Sequence, residues 1–318
     1  METALRSAEQ HSEKMAIVTT TTADARKVIA SVRMAVFLGN ESGWDHEGDL
    51  DVLGAFYRLG LRTVQFASQT GFNAMADSDI SMQQGGQKPD HFHGLSEQGR
   101  AVAAEMNRLG ILIDITHGTD DTQKQLIEAC KVPVVCSHTT IKAVSGAGMS
   151  DETLKLLAGK GGVVGIHGGA AVAGKRYRKW VAEHPNEMKE AAKGLPNMLG
   201  YEPSQPRKAG DHGEYIAMFD KEFGGAWRER GSWKELPALE PLIPTADEYA
   251  EQIDYAIKLV GADHVAIGLD MAGARSGVPR DAGGYGEILA ALNRITTPAN
   301  VTKIFGENWF RVLDSAKA

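Results

Sequence analysis

Short apolar runs alternate with amphipathic stretches along most of this chain. Val64 to Ser68, Ile111 to His117, Val132 to His138, Gly162 to His167 and Val265 to Asp270 have the length and composition of buried strands. An earlier run, Met34 to Asn40, reads the same way and ends at Glu41. Between the runs lie helix patterns with recognisable ends. Leu50, Leu53, Phe56 and Tyr57 fall on one face of a helix closed by Gly60. Ser96 to Leu109 is closed by Gly110, Thr119 to Cys130 follows, and Ser150 caps a helix running to Gly159. Upstream, residues 1–14 read as a helix, Ala16 to Thr20 as a short strand, and Thr22 as the N-cap of the next helix. Thr245 and Glu248 form a capping box that opens a helix to Val260, and two further helices cover Tyr285–Arg294 and Pro298–Leu313.

Strand and helix recur at roughly 25-residue intervals, the rhythm of parallel βα units. The rhythm stops at Gly168. Residues 170–244 are polar, with helical patches near Arg176–Glu183 and Tyr215–Phe223 and a proline-rich end. They read as an inserted or lid segment within one domain spanning residues 1–318. The expected fold is therefore α/β, a TIM-like (β/α) barrel.

The strand ends carry the chemistry. Ile111 to His117 and Val132 to His138 both finish in histidine, and the Met34 run finishes in Glu41. In an α/β barrel the C-terminal strand ends face one mouth. Glu41, His117 and His138 are thus candidate ligands of a divalent metal, and a mixed carboxylate and imidazole set favours Zn²⁺. His167 also ends a strand, before Gly168-Gly169, and is a candidate substrate contact or a turn residue. Asp270 ends another; it can ligate a metal, accept a proton from a water, or serve only as a turn carboxylate. The HxH in Asp90-His91-Phe92-His93 resembles a metal pair, but it falls in a polar loop and reads as solvated. Asp114 reads as a buried, hydrogen-bonded carboxylate.

Composition narrows the function classes. The chain has 318 residues, and a net charge of -7 with no basic run argues against nucleic acid and anionic membrane surfaces. No apolar run reaches the roughly 18 residues of a membrane span. The polar N-terminus lacks a signal-peptide core, so a cytoplasmic location is expected. Cys130 and Cys136 read as buried small hydrophobes rather than a disulfide.

Several segments together resemble one family. They are FLGNESG (37–43), LGAFYRLGLRTVQFASQTGFNAMADS (53–78), GLSEQGRAVAAEMNRLGILIDITH (94–117), VPVVCSHTTIKAV (132–144), MSDETLKLL (149–157), VAIGLDMAG (265–273) and GENWFRVL (306–313). In this order they resemble the renal (membrane) dipeptidases, zinc metallopeptidases on a distorted TIM barrel. The resemblance implies that Glu41 is the carboxylate bridging two zinc ions and that His117 and His138 complete one of them. It sets Asp270 as the late aspartate of the other, and implies that metal-activated water cleaves a dipeptide or similar small amide. The chain departs from the pattern in four places. No HxD pair precedes Glu41, so the barrel is expected to be incomplete at its N-terminus, with one zinc rather than two. Ala147-Gly148-Met149 replaces an arginine motif, Gly268 to Gly273 keeps only the first aspartate of GDFDG, and Gln69 replaces a substrate-contacting histidine. These departures leave open a catalytically impaired relative holding at most one metal, and a chain lacking its natural N-terminus. A barrel short of two strands exposes edges, from which a homo-oligomer is expected.

Overall fold

Six strands succeed one another in space in the same order as in the chain. In the computed structural model they are β3 (Leu38–Asn40), β4 (Leu61–Gln65), β5 (Leu112–Asp114), β6 (Val135–Thr139), β7 (Val163–Ile166) and β8 (Val265–Ile267). Every pairing is parallel. Sequential parallel order, with no reversal, is the topology of a βα barrel and not of a doubly wound sheet. Among the described residues, β3 and β8 are not paired with each other, so the sheet is an open arc. The structure describes residues 2–41, 43, 46–67, 73–78, 91–169, 174–185, 244–270, 278, 279 and 281–316.

The expected single strand ending at Glu41 is two. β2 (Met34–Val36) pairs with β1 (Met15–Ile17) in a separate two-stranded sheet, while β3, after the single residue Phe37, pairs with β4. The other strands sit close to their expected positions, β4 starting three residues earlier than predicted. The helices are α1 (Glu2–Gln10), α2 (Thr22–Ala30), α3 (Leu50–Arg58), α4 (Glu97–Leu109), α5 (Asp120–Ala129), α6 (Lys142–Ser145), α7 (Asp151–Gly159), α8 (Gly174–Glu183), α9 (Ala246–Val260), α10 (Tyr285–Ile295), α11 (Pro298–Thr302) and α12 (Asn308–Ser315). Two expectations are corrected. The N-cap of α2 is Thr21, whose hydroxyl accepts from the Asp24 N–H; Thr22 is instead the first helical residue and donates to Asp314. The helix expected over 298–313 is interrupted by a π turn at Lys303–Glu307, where Gly306 leaves helical geometry (φ 176, ψ -32). The patch expected at Tyr215–Phe223 lies outside the described residues.

Strand alternation divides the core. Val64, Ile113, Ile115, Val134, Cys136, Val164, Ile166 and Val265 face outward and pack under the helices with Leu53, Met106, Leu126, Leu157, Ile253 and Ile288. Leu112, Val135, Val163 and Ala266 face the other way. That inner face, the lumen of the arc, is filled at its lower end by α12 through Trp309, Val312, Leu313 and Ala316. The same helix holds the N-terminal unit: Thr22 donates to both oxygens of Asp314 at 2.6 and 2.7 Å, and the Arg26 guanidinium lies 4.6 Å over the Phe310 ring. Above this plug the lumen is narrow. A Cβ on Gly165 would lie 2.0 Å from the Ser137 carbonyl oxygen, and one on Gly268 1.9 Å from it, so β6, β7 and β8 converge there as only glycine permits.

Candidate metal centre

Above the glycines, the C-terminal strand ends bring five side chains round one mouth. Glu41 follows β3, His117 follows β5, His138 lies in β6, His167 follows β7 and Asp270 follows β8. His117 Nε2 lies 3.8 Å from Glu41 Oε1 and 3.3 Å from His138 Nε2. His138 Nε2 lies 3.9 Å from Asp270 Oδ2, which lies 3.5 Å from His167 Nε2. His117 and Asp270 reach these positions from left-handed backbone, with φ of 64° and 50°. Non-glycine residues seldom adopt that conformation, and the cost is accepted most often at functional sites.

Glu41, His117 and His138 each offer a donor atom within 4.8 Å of the others, the sole such metal-capable group among the described residues. Two donors on one tetrahedral zinc stand about 3.4 Å apart, given bonds near 2.1 Å. The separations of 3.3 Å between the imidazoles and 3.8 Å between His117 and Glu41 are near that figure. The chemistry fits as well: two imidazole nitrogens at 3.3 Å repel unless a proton or a cation lies between them. The Glu41 side chain is half exposed and His138 largely buried, so the group is anchored on one side and open on the other.

Electrostatics set the protonation states. The neighbouring His117 imidazole holds the Glu41 carboxyl below the usual carboxylate range, against an opposing effect of burial. For Asp270 burial pushes upward, but His167 and the other neighbouring imidazoles prevail and the net shift is downward. Burial, aided by His117, keeps His138 below the ordinary imidazole value. Ionised carboxylates and a neutral imidazole are the forms that bind a metal.

His167 differs from the other two imidazoles. Its Nδ1 accepts the Gly169 N–H at 2.9 Å, which leaves the proton on Nε2, facing Asp270. It is a hydrogen-bond donor in the mouth, and its lone pair is already used.

The loop HxH stands apart. His91 and His93 are exposed, and the buried Asp77 holds their backbone by accepting from the N–H groups of His91, Phe92 and Gly94 at 3.1, 2.9 and 3.1 Å. The remaining candidate, Gln69, lies outside the described residues. Sequence reasoning overlooked the hydroxyls Thr116 and Ser137, which stand beside the candidate ligand histidines. The signal was present, since each histidine is preceded by a hydroxyl residue, in Ile115-Thr116-His117 and Cys136-Ser137-His138.

The family model described as membrane dipeptidase (peptidase family M19) matches residues 1–318. Dipeptidase 3 of Rattus norvegicus is 34% identical over 140 residues, 42% of this chain and 27% of that protein. Dipeptidase tcpJ of Claviceps purpurea is 24% identical over 295 residues, 91% of this chain and 53% of that protein. The matches thus span about half or less of these curated relatives. Among solved structures, an amidohydrolase from Pseudomonas aeruginosa superposes with a TM-score of 0.67 at 22% identity, over 99% of this chain and 82% of that one. A metallo peptidase from Rhodobacter sphaeroides, liganded with a phosphinate mimic of the dipeptide L-Ala-D-Ala, gives 0.62 at 20% identity, over 95% and 69%. Likeness at these identities concerns the fold.

Proposed function

The chain belongs to the membrane dipeptidase family of metallopeptidases, and on that premise we propose that it is a zinc-dependent hydrolase of a dipeptide or similar small amide. The observation that carries this reading is the convergence of Glu41, His117 and His138 within 4.8 Å at the C-terminal mouth of the sheet. These three would hold the ion. Bound there, zinc supplies Lewis acidity toward a carbonyl and acidifies a water.

The other two residues have separate tasks. Asp270, ionised at neutral pH, is suited to take up a proton at Oδ2 beside the ligand histidines. His167 offers an Nε2 proton, so it suits an oxygen of the substrate, either the scissile carbonyl or a terminal carboxylate. The half-exposed Glu41 leaves the mouth accessible to a small substrate. Ala147 and Gly148, where the family resemblance sets an arginine, favour a substrate held by fewer charged contacts.

The test is turnover of a panel of L,L- and L,D-dipeptides by zinc-loaded protein, measured as released amine. The expected outcome is hydrolysis that a chelator abolishes and added zinc restores, with Asp270→Asn losing at least about 100-fold in kcat while retaining its metal. A zinc-loaded, folded chain that cleaves no dipeptide or simple amide would refute the reading and leave a scaffold without catalysis.

A further inference from the structure

Under the metal mouth, β5 and β6 separate. Their ladder holds a single register pair, Asp114 with Val135, supplemented by the Ile115 N–H donating to the Val135 carbonyl at 2.7 Å. Beyond it a side-chain splice takes over. Asp114 Oδ1 accepts the Thr116 hydroxyl at 2.7 Å, the Thr116 N–H at 3.0 Å and the Ser137 N–H at 2.9 Å. Thr116 Oγ1 then stands 3.2 Å from Ser137 Oγ, which stands 2.9 Å from His138 Nδ1. Asp114 and Thr116 are buried, at 5% and 2% exposure.

The direction of this chain of hydrogen bonds follows from its far end. A carboxylate only accepts, so the Thr116 hydroxyl spends its one proton on Asp114. Its oxygen accepts the His138 N–H at 3.4 Å and, with no proton left to give, can meet the Ser137 hydroxyl only by receiving that hydroxyl's proton. Ser137 Oγ in turn has only a lone pair for His138 Nδ1, which must be the protonated nitrogen. The lone pair of His138 is thereby forced onto Nε2, the atom 3.3 Å from His117 Nε2 and 3.9 Å from Asp270 Oδ2. Cys136 Sγ, 3.3 Å from the Thr116 oxygen, has its own acceptor in the His138 carbonyl at 3.8 Å and does not reverse the order.

We infer that Asp114, Thr116 and Ser137 form a one-way hydroxyl relay that fixes the tautomer of His138, making them positioning residues for metal capture. A neutral imidazole with its proton on Nε2 cannot ligate through that atom, and partners of this kind are worth about 10- to 100-fold in metal affinity. The inference rests on the metal reading for its purpose, though not for its mechanism. Thr116→Val keeps the branched shape and removes the hydroxyl. Ser137 then has no acceptor on that side and is free to turn its proton toward His138 Nδ1. Thr116→Ser restores the relay.

The experiment is long-range ¹H–¹⁵N correlation of the histidine rings in metal-free protein, paired with zinc affinity from chelator competition. The wild type and Thr116→Ser are expected to show His138 protonated on Nδ1. Thr116→Val is expected to gain the Nε2-protonated form and to bind zinc about 10- to 100-fold more weakly. A wild-type His138 protonated on Nε2, or a Thr116→Val chain with unchanged tautomer and affinity, overturns the inference. If Thr116→Val does not fold, as judged by thermal unfolding, Ser137→Ala applies the same test: His138 loses its pinned tautomer and the same fold of zinc affinity, and retention of both overturns the relay. A wild-type chain that binds no zinc refutes the metal reading, while the ring tautomers still decide the relay.

Discussion

Asp77 offers a severe test of how the mouth is supported from behind. It is 1% exposed, and its carboxylate accepts three backbone N–H groups of the segment 91–94. Its backbone carbonyl accepts the Thr119 N–H at 3.3 Å and the Thr122 hydroxyl at 2.8 Å, which fastens the turn that follows His117. Asp77→Ala orphans all three N–H groups, but unequally. His91 is exposed and its N–H can turn to water; Phe92 is half-buried; Gly94 is buried. A buried orphan costs about 1–3 kcal/mol and lost hydrogen bonds to a charged group about 1.5–3 each, with water recovering part at the exposed end. The expected loss is about 3 kcal/mol. In urea, with a slope of about 3 kcal/mol/M for a chain of this size, the midpoint falls by about 1 M. The assay is equilibrium unfolding of metal-free protein followed by far-UV circular dichroism and tryptophan fluorescence, whose curves must coincide for the figure to stand. A midpoint shift below about 0.3 M, under 1 kcal/mol, would refute the view that Asp77 anchors this loop.

Two further outcomes follow from contacts elsewhere. Thr22→Val preserves the side-chain shape and removes the hydroxyl shared by both Asp314 oxygens, so it is expected to cost about 1–2 kcal/mol in thermal unfolding; no change would mean that α2 and α12 are held by packing and the Arg26 contacts without it. The Cys130 thiol is pushed up to about 11 by burial, and burial raises Cys136 further. At pH 8 both are protonated, unreactive thiols. Intact-mass measurement after iodoacetamide treatment should find neither cysteine modified in folded protein and both modified in denaturant, whereas rapid double modification of the folded chain would contradict their burial.

Much of the site was legible in sequence because strand ends are. A buried parallel strand is a short apolar run, its last residue is fixed by the change to polar sequence, and topology brings those last residues to one mouth. Glu41, His117, His138, His167 and Asp270 were found in this way. What was hidden depends on distance in the chain. The HxH at His91 and His93 has the spacing of a metal pair, and distant partners, the carboxylate of Asp77, 14 residues upstream of His91, and the amide of Gln125, make it a pinned loop. Thr22 has the residue type of an N-cap, yet its partner is Asp314 near the other end of the chain. The break at Gly306 carries no periodic signal, since the apolar positions on either side continue in phase. The direction of the Asp114 relay could not be read before the order of its partners in space was known.

Metal content bears most directly on the central claim. Protein purified without chelator, reloaded with zinc and desalted, should carry one zinc per chain by elemental analysis, the number that Glu41, His117 and His138 can hold with an open fourth position. His138→Ala and Glu41→Gln, still folded by circular dichroism, should carry none. Wild-type protein that retains no zinc after reloading, or a His138→Ala chain that retains as much as the wild type, would contradict the assignment of this mouth as the metal centre.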